Sequence, residues 1–396
     1  MKELPIIIAG AGIAGLSAAL ALARAGQRVL VLEKAAALTE AGAGIQLSPN
    51  ASRHLQHWGV LERLRGGALA PRAVIVRRAR DAALLARLPL EDAEKRWAAP
   101  YLIAHRADLQ RALLEAVAAQ SNIELRLGIG VAGFAADEGQ VAVGAKHGLI
   151  RLRFDGAALI GGDGVWSDVR QRLAIPGDSP PSAAGRTAWR ATISATQLPE
   201  GFAAPEVNLW LGKRAHLVHY PLRGGTQVNV VAIAEDSAVG GDAANFWSET
   251  RDLAILKQAF ARWDETAQTL LAAPADWRSW QLFERAPLQH WSKGRVTLIG
   301  DAAHPMLPFL AQGAAQGIED AAALEQGLSA NKGIAAAFQT YETARTGRAA
   351  RVQAASRRQG EIYHMAGPAA LARDIVMRIV GRRMLARQDW LYASGA

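Results

Sequence analysis

The chain has 396 residues, half of them hydrophobic and a fifth charged, with 38 glycines and a formal net charge of +9. That balance excludes a disordered chain and fits a globular α/β enzyme longer than one core usually supports, so two domains or one domain with a large insertion are expected. The lack of cysteine excludes disulfides, thiolate metal sites and a cysteine nucleophile, in keeping with a cytoplasmic protein.

Ile6 to Ala9 is a short apolar run suited to a buried parallel strand, and Gly10, Gly12 and Gly15 follow it at G-x-G-x-x-G spacing. The first glycine permits a tight turn, the second lets backbone approach a pyrophosphate, and the third lets the next helix lie close on the strand. The helix start offers free N–H groups to phosphates. Arg28 to Leu32 reads as the following strand, and Glu33 at its end is placed to accept hydrogen bonds from a ribose without a 2′-phosphate. Residues 4–23 also carry no charge and follow Lys2, as in a signal peptide or membrane span. Three glycines would break such a helix where it should be continuous.

A small-residue loop runs from Ala35 to Pro49, and Asn50 to Trp58 reads as a helix with Asn50 as its N-cap. Val74 to Arg78 and Ala83 to Leu88 alternate like strands. His105 to Gln120 returns to helix, with Leu109, Leu113, Leu114 and Val117 on one face. Ile123 to Leu127 and Val131 to Lys146 read as strands of a meander crossing over the nucleotide sheet. Ala158 to Leu173 is again an apolar strand running into glycines and a helix, with Asp163-Gly164 at the strand end, where open α/β sheets bind ligands. Alternating runs between Gly185 and Ala234 predict an antiparallel sheet, hence a second domain. Helical patterns follow from Phe246 to Leu271. Arg295 to Leu328 gives a third strand, a loop with Pro305 and Pro308, and a long helix opened by Gln312-Gly313, with Glu319, Asp320 and Glu325 on its flank. Gly333 to Ala396 reads as helices broken at Gly367-Pro368.

Ten arginines recur in that last stretch: Arg345, Arg348, Arg351, Arg357, Arg358, Arg373, Arg378, Arg382, Arg383 and Arg387. They read as a solvated helical face rather than a nucleic-acid module, and a positive surface would help draw in an anionic cofactor and a carboxylated substrate. The histidines form no metal-ligand cluster, since His216 and His219 fall on opposite faces of a strand, so no metal site is expected.

The motifs, in this order, resemble those of the FAD-dependent aromatic hydroxylases, the group A flavoprotein monooxygenases. Gly10, Gly12, Gly15 and Glu33 match that family's ADP-binding fingerprint, Asp163 and Gly164 its DG motif, and Gly300 and Asp301 its GD motif. The resemblance implies a Rossmann-like, glutathione-reductase-like α/β FAD-binding domain with an inserted antiparallel-sheet substrate domain and C-terminal helices. The expected division is 1–73, 100–175 and 285–330 for FAD, 74–99 and 176–284 for substrate, and 331–396 for the helical region. It further implies Ala14, Lys34, Gly44, Ile45, Arg106, Pro308, Gly313, Ala314 and Ala315 along the cofactor. Asp301, after the strand Val296 to Ile299, reaches a ribityl hydroxyl. The helix start at Gln312 to Ala315 stabilises the anion of reduced flavin. Asp163 holds Arg106 or neighbouring backbone, and His304 shapes the flavin edge from a loop stiffened by Pro305 and Pro308.

The implied chemistry uses NADH or NADPH as transient electron donor and O₂, with a flavin C4a-hydroperoxide delivering oxygen to an activated ring. A phenol reacts better as phenolate, so a base beside the hydroxyl is expected. His216 and Tyr220 share a strand face, and members acting on salicylate and hydroxynicotinate have a histidine and a tyrosine at matching spacing, so His216 is the expected base and Tyr220 its polar companion. Trp189-Arg190 on another strand could stack near the ring and attract a carboxylate, but reads rather as a core residue beside a surface residue, which keeps Arg190 off the catalytic set. The expected substrate is a small aromatic or heteroaromatic acid of the salicylate, hydroxybenzoate or hydroxynicotinate kind, and the expected state is a monomer or homodimer without nucleic acid or a transmembrane segment. The alternatives are the same fold acting on a larger polycyclic or quinone-like substrate, or a non-hydroxylating flavin reductase.

Overall fold

A computed structural model gives the architecture and describes residues 4–38, 44–236, 253–330 and 333–393. The first strand, Ile6–Ala9, lies inside a six-stranded sheet ordered Ser292–Lys293, Val296–Leu298, Ala158–Gly161, Ile6–Ala9, Val29–Glu33, Ile123–Leu127. Every pair is parallel except the short edge pair of Ser292–Lys293 with Val296–Leu298. Ile6, Ile7 and Ile8 are fully buried because both faces of the sheet are covered. Ile8 faces the helix Ile13–Arg24, where Gly15 permits close approach: a Cβ on it would stand 2.0 Å from the Gly10 carbonyl oxygen. Ile7 points the other way, to Gly156 in a three-stranded antiparallel sheet of Gly130–Ala136, Val141–His147 and Ile150–Gly156.

That meander differs from its expected composition. Ile123–Leu127 belongs to the parallel sheet, paired with Val29–Glu33, and the third meander strand is Ile150–Gly156, turned back through Gly148 at φ +59°. The second large sheet has seven strands, in the order Arg278–Glu284, Ser182–Ser194, Gln227–Glu235, Ala215–Leu222, Glu206–Gly212, Ala73–Arg78, Leu84–Pro89. It is antiparallel throughout except for Glu206–Gly212 beside Ala73–Arg78. The two expected segments, near 74–88 and 185–234, therefore meet in one sheet. A small sheet of Gly44–Leu47, Leu102–His105 and Ala68–Leu69 abuts it, with the Gly44 N–H donating to Asn229 Oδ1 at 2.7 Å.

Helices Leu253–Phe260 and Glu265–Ala272 cover part of the predicted 246–271 region, whose first residues, to Asp252, lie outside the described set. Helices Ile334–Tyr363 and Gly367–Val380 flank the predicted break. Among the described residues, no helix is long and apolar enough to cross a membrane.

Three sequence expectations are corrected by packing. Pro49 occupies the first turn of helix Pro49–His57, so the cap position falls to Ser48 and Asn50 lies inside, buried. Glu319 and Asp320 are buried rather than on a flank, because helix Gly313–Ala330 is packed by Ile13–Arg24 and by Ile334–Tyr363. The arginine face is only partly solvated. Arg345 and Arg373 are buried and ion-paired, and Arg348 is half-buried against Glu319, whereas Arg351, Arg357, Arg358, Arg378, Arg383 and Arg387 are exposed.

Candidate active site

A cavity of about 430 Å³ begins at Gly12, Ile13 and Ala14, passes Gly162, Gly164, Gly300, Asp301, Gly313 and Ala314, and reaches His216, Tyr220, Arg190 and Trp280 on the seven-stranded sheet. Its near end is shaped by the glycine turn. Gly10 has φ +98°, and a Cβ there would meet the Gly162 carbonyl oxygen at 2.5 Å. Gly12, by contrast, has no protein atom within 4 Å of where a Cβ would stand, so its backbone is open to a ligand. Glu33 receives hydrogen bonds from the N–H groups of Ala11 (2.7 Å) and Ala35 (2.8 Å), which fix its carboxylate at the strand tip beside this turn.

Strand alternation builds the far end. His216, Val218 and Tyr220 occupy every second position of Ala215–Leu222 and line the cavity, while His219 lies on the other face, where Trp210 Nε1–H donates to its Nδ1 at 3.2 Å. Across the sheet Val218 stands opposite Val231, and Val231 opposite Arg190; His216 stands opposite Ile233, Ile233 opposite Ala188, and Ala188 opposite Trp280. Register alone therefore carries Arg190 and Trp280 to the face of His216, with the guanidinium 4.4 Å from the Trp280 ring centre. Gly44 closes the wall: a Cβ there would lie 2.4 Å from the Tyr220 ring.

His216 is buried, and its Nδ1 lies 2.8 Å from His364 Nε2 at the end of helix Ile334–Tyr363. Phe309 and Tyr363 flank its ring at 5.5 and 5.2 Å. Burial, then the neighbouring His364 and Arg186, holds the imidazole well below its ordinary pKa, so it stands neutral, with one ring nitrogen unprotonated. With Nδ1 engaged by His364, Nε2 is the nitrogen left for a group in the cavity. Burial raises the Tyr220 phenol, keeping it a hydrogen-bond donor. Asp301 projects into the cavity from Gly300–Ala302, and the protein mass around that space raises its carboxyl, against the pull of His304 and Arg106.

Of the residues singled out from sequence, Gly12, Ala14, Gly44, Ile45, Arg106, Gly164, His216, Tyr220, Gly300, Asp301, Pro308, Gly313 and Ala314 line this one cavity. Gly10 and Gly15 shape the turn from behind, Ala315 is buried in the helix below, and Lys34 is exposed. Asp163 holds neighbouring backbone: it accepts from Val169 N at 3.1 Å and from the Ser167 hydroxyl. Trp280 and Gln46 carry no signal in the sequence reading; Trp189 is core as read, but its neighbour Arg190 faces the cavity rather than the surface.

His304 is also placed differently from expectation. It is buried behind the cavity, with Nε2 2.6 Å from Asp320 Oδ2 and its ring against Trp291. Asp320 Oδ2 also accepts from Gly300 N at 2.8 Å, and its Oδ1 from Arg345 Nε at 2.8 Å. Glu319 pairs with Arg345 and Arg348 and accepts from the Asn50 amide at 2.6 Å. This buried network joins the Gly300 turn to helix Gly313–Ala330, so the two backbones that line the cavity there are held by paired charges.

A profile of the FAD-binding domain family matches residues 3–359, and the chain belongs to the FAD-dependent aromatic hydroxylase family, with FAD as its cofactor. Among its relatives, a 3-hydroxybenzoate 6-hydroxylase of Polaromonas naphthalenivorans (strain CJ2) is 37% identical over 394 residues, covering 98% of this chain and 96% of the relative. A 3-amino-4-hydroxybenzoate 2-monooxygenase of Streptomyces platensis is 36% identical over 396 residues, covering 98% and 95%. Among solved structures, an HpxO variant of Klebsiella pneumoniae complexed with FAD superposes with TM-score 0.87 at 25% identity, covering 99% of both chains. The residues present fit the cofactor: an open glycine at a helix start, a second helix start at Gly313 and a carboxyl at Asp301 all face one elongated space.

Proposed function

We propose that the chain is an FAD-dependent monooxygenase that uses NADH or NADPH and O₂ to hydroxylate a small aromatic acid of the hydroxybenzoate kind. The observation that carries this reading is one sheet face presenting a neutral histidine, a tyrosine and a guanidinium to the same cavity that begins at Gly12. Gly10, Gly12, Ala14, Gly15 and Glu33 hold the ADP half of the cofactor, with Lys34, Arg106, Asp163 and Gly164 supporting it. Gly44, Ile45, Gly300, Asp301, Pro308 and Gly313 to Ala315 hold the flavin half, the helix start facing the part that gains negative charge on reduction. When bound, the flavin supplies hydride acceptance from the nicotinamide donor and oxygen activation. The parallel sheet and its flanking segments serve the cofactor, and the seven-stranded sheet serves the substrate.

His216 Nε2 takes the phenolic proton, Tyr220 donates to the oxygen that results, and Arg190, over the Trp280 ring, pairs with the carboxylate. Val218, Val231, Ile233 and Leu282 supply apolar contact and exclude water. Names of relatives that act on hydroxybenzoates support the substrate class. The test is a screen of hydroxybenzoates on the purified holoenzyme, reading the flavin spectrum and NAD(P)H consumption against hydroxylated product. Product matching NAD(P)H consumed is expected for at least one acid; consumption yielding only peroxide with every acid overturns the reading. Arg190→Met is expected to raise KM for the acid and leave that for its neutral amide unchanged.

A further inference from the structure

Removing a proton from a buried phenol raises the question of where that proton goes, because the side chains packed on the His216 ring, Phe309 and Tyr363, offer it no base. His216 is 2% exposed, so it has no direct route to solvent. Its Nδ1 meets His364 Nε2 at 2.8 Å, and the other nitrogen of His364, Nδ1, lies 3.6 Å from Glu235 Oε1. Glu235 closes strand Gln227–Glu235 at the surface, its side chain 38% exposed and 3.4 Å from Arg214. His364 Nδ1 is buried and, among the described residues, makes no hydrogen bond. In the tautomer with its proton on Nδ1, His364 is a donor facing an exposed carboxylate 3.6 Å away, which a side-chain rotation at Glu235 or one water would satisfy.

We infer that His216, His364 and Glu235 form a proton path from the cavity to solvent, with His364 a positioning residue that takes the proton onward from the base. This rests on His216 being the substrate base. The transfers balance with one proton and no electrons. The phenolic O–H gives its proton to His216 Nε2, the His216 Nδ1 proton passes to His364 Nε2, and the His364 Nδ1 proton leaves by way of Glu235. The reverse sequence reprotonates the product oxygen and restores both starting tautomers. The surroundings disfavour a stored proton on either ring. Arg186 from strand Ser182–Ser194 faces both, Arg373 from helix Gly367–Val380 faces His364, and Phe309 and Tyr363 pack on His216. Burial, then these arginines, holds His364 down to about 3, so a proton arriving there moves on. Glu235 is the one carboxylate paired with either ring among the described residues.

The test follows the phenolate of 3-hydroxy-4-nitrobenzoate by its visible absorbance when it is mixed rapidly with holoenzyme. Wild type is expected to ionise the bound probe quickly. His364→Gln slows phenolate appearance at least about tenfold, with a larger solvent isotope effect and recovery on adding imidazole, and Glu235→Gln, at the surface, slows it by a smaller factor. Flavin content confirms that each variant is folded. If wild type does not ionise the probe, or His216→Ala ionises it as wild type does, the base assignment falls and the path with it. If His216→Ala abolishes ionisation but both other variants ionise the probe at the wild-type rate, the base stands and the path is overturned. Slowing by His364→Gln without imidazole recovery and with an unchanged isotope effect marks a packing role and also overturns it.

Discussion

Replacing Arg345 by methionine removes the cation at the centre of the buried network while keeping a long, flexible side chain. Arg345 is 4% exposed and donates to Asp320 at 2.8 Å, to Glu319 and to the Gln316 side chain at 2.8 Å. Breaking a buried pair from one side costs about 3–5 kcal/mol, because the remaining charge is left desolvated. Here the acids keep partners: Asp320 retains His304 and the Gly300 N–H, and Glu319 retains Arg348 and Asn50. The loss is therefore expected at the low end, about 3 kcal/mol. Urea unfolding followed by tryptophan fluorescence measures it, since Trp291 packs on His304 and Tyr341 beside the network. FAD affinity should fall in parallel, because Asp320 fixes the Gly300 turn that lines the cavity. Arg345→Lys, which restores charge without the planar fork, should recover part of the loss. A loss below about 1 kcal/mol for Arg345→Met, the range of exposed ion pairs, would refute the reasoning.

Gly12→Ala and Gly15→Ala should separate cofactor space from protein packing. The first leaves the apoprotein's stability unchanged within about 0.5 kcal/mol but weakens FAD at least about tenfold in a fluorescence titration; the second, blocked by the Gly10 carbonyl, destabilises the fold by about 1–3 kcal/mol in thermal unfolding. Burial alone would raise the Asp320 carboxyl, but His304 and Arg345, with hydrogen bonds from His304 and Gly300, bring it down to about 2 from an ordinary 3.8. A depressed carboxyl stabilises above its unfolded value, so about 2 kcal/mol is present above pH 4 and is lost as pH falls toward 2. Unfolding free energy measured across that window should show a shallower slope for Asp320→Asn, and an equal slope counts against the pairing. Trp280→Ala should raise KM for an aromatic acid several-fold by freeing the Arg190 side chain, with FAD affinity unchanged.

What the sequence made legible was local. The glycine turn, Glu33, the strands ending at Asp163 and Asp301, and the shared face of His216 and Tyr220 each depend on spacing within a few residues, and each stands where spacing places it. Arg190 depends instead on a register running through Val231 to Val218, which no local pattern states. His364 comes to His216 from the end of a helix 148 residues away. Glu319 and Asp320 looked like solvent-facing acids because a helix turns its charged side outward unless another helix covers it. Here the covering helix brings its own Arg345 and Arg348, so two apparently solvated faces neutralise each other in the interior. The missed strand Ile150–Gly156 does alternate, at Ile150, Leu152 and Phe154, but the positions between are the charged Arg151, Arg153 and Asp155 and its apolar side is thin.

The parallel sheet sets a schedule for synthesis. Ile6–Ala9 leaves the ribosome first, yet its neighbour Ala158–Gly161 gains its own outer partner only when Val296–Leu298 emerges, and the cavity gains a wall only with Gly313 and Ala314. At 5–20 residues per second, roughly 15–60 s separate the glycine turn from the helix that completes its cavity. Through that interval an apolar strand and a half-built nucleotide seat must be shielded without the ligand they are shaped for. The cavity that begins at Gly12 is thus complete only once the chain has been made through helix Gly313–Ala330.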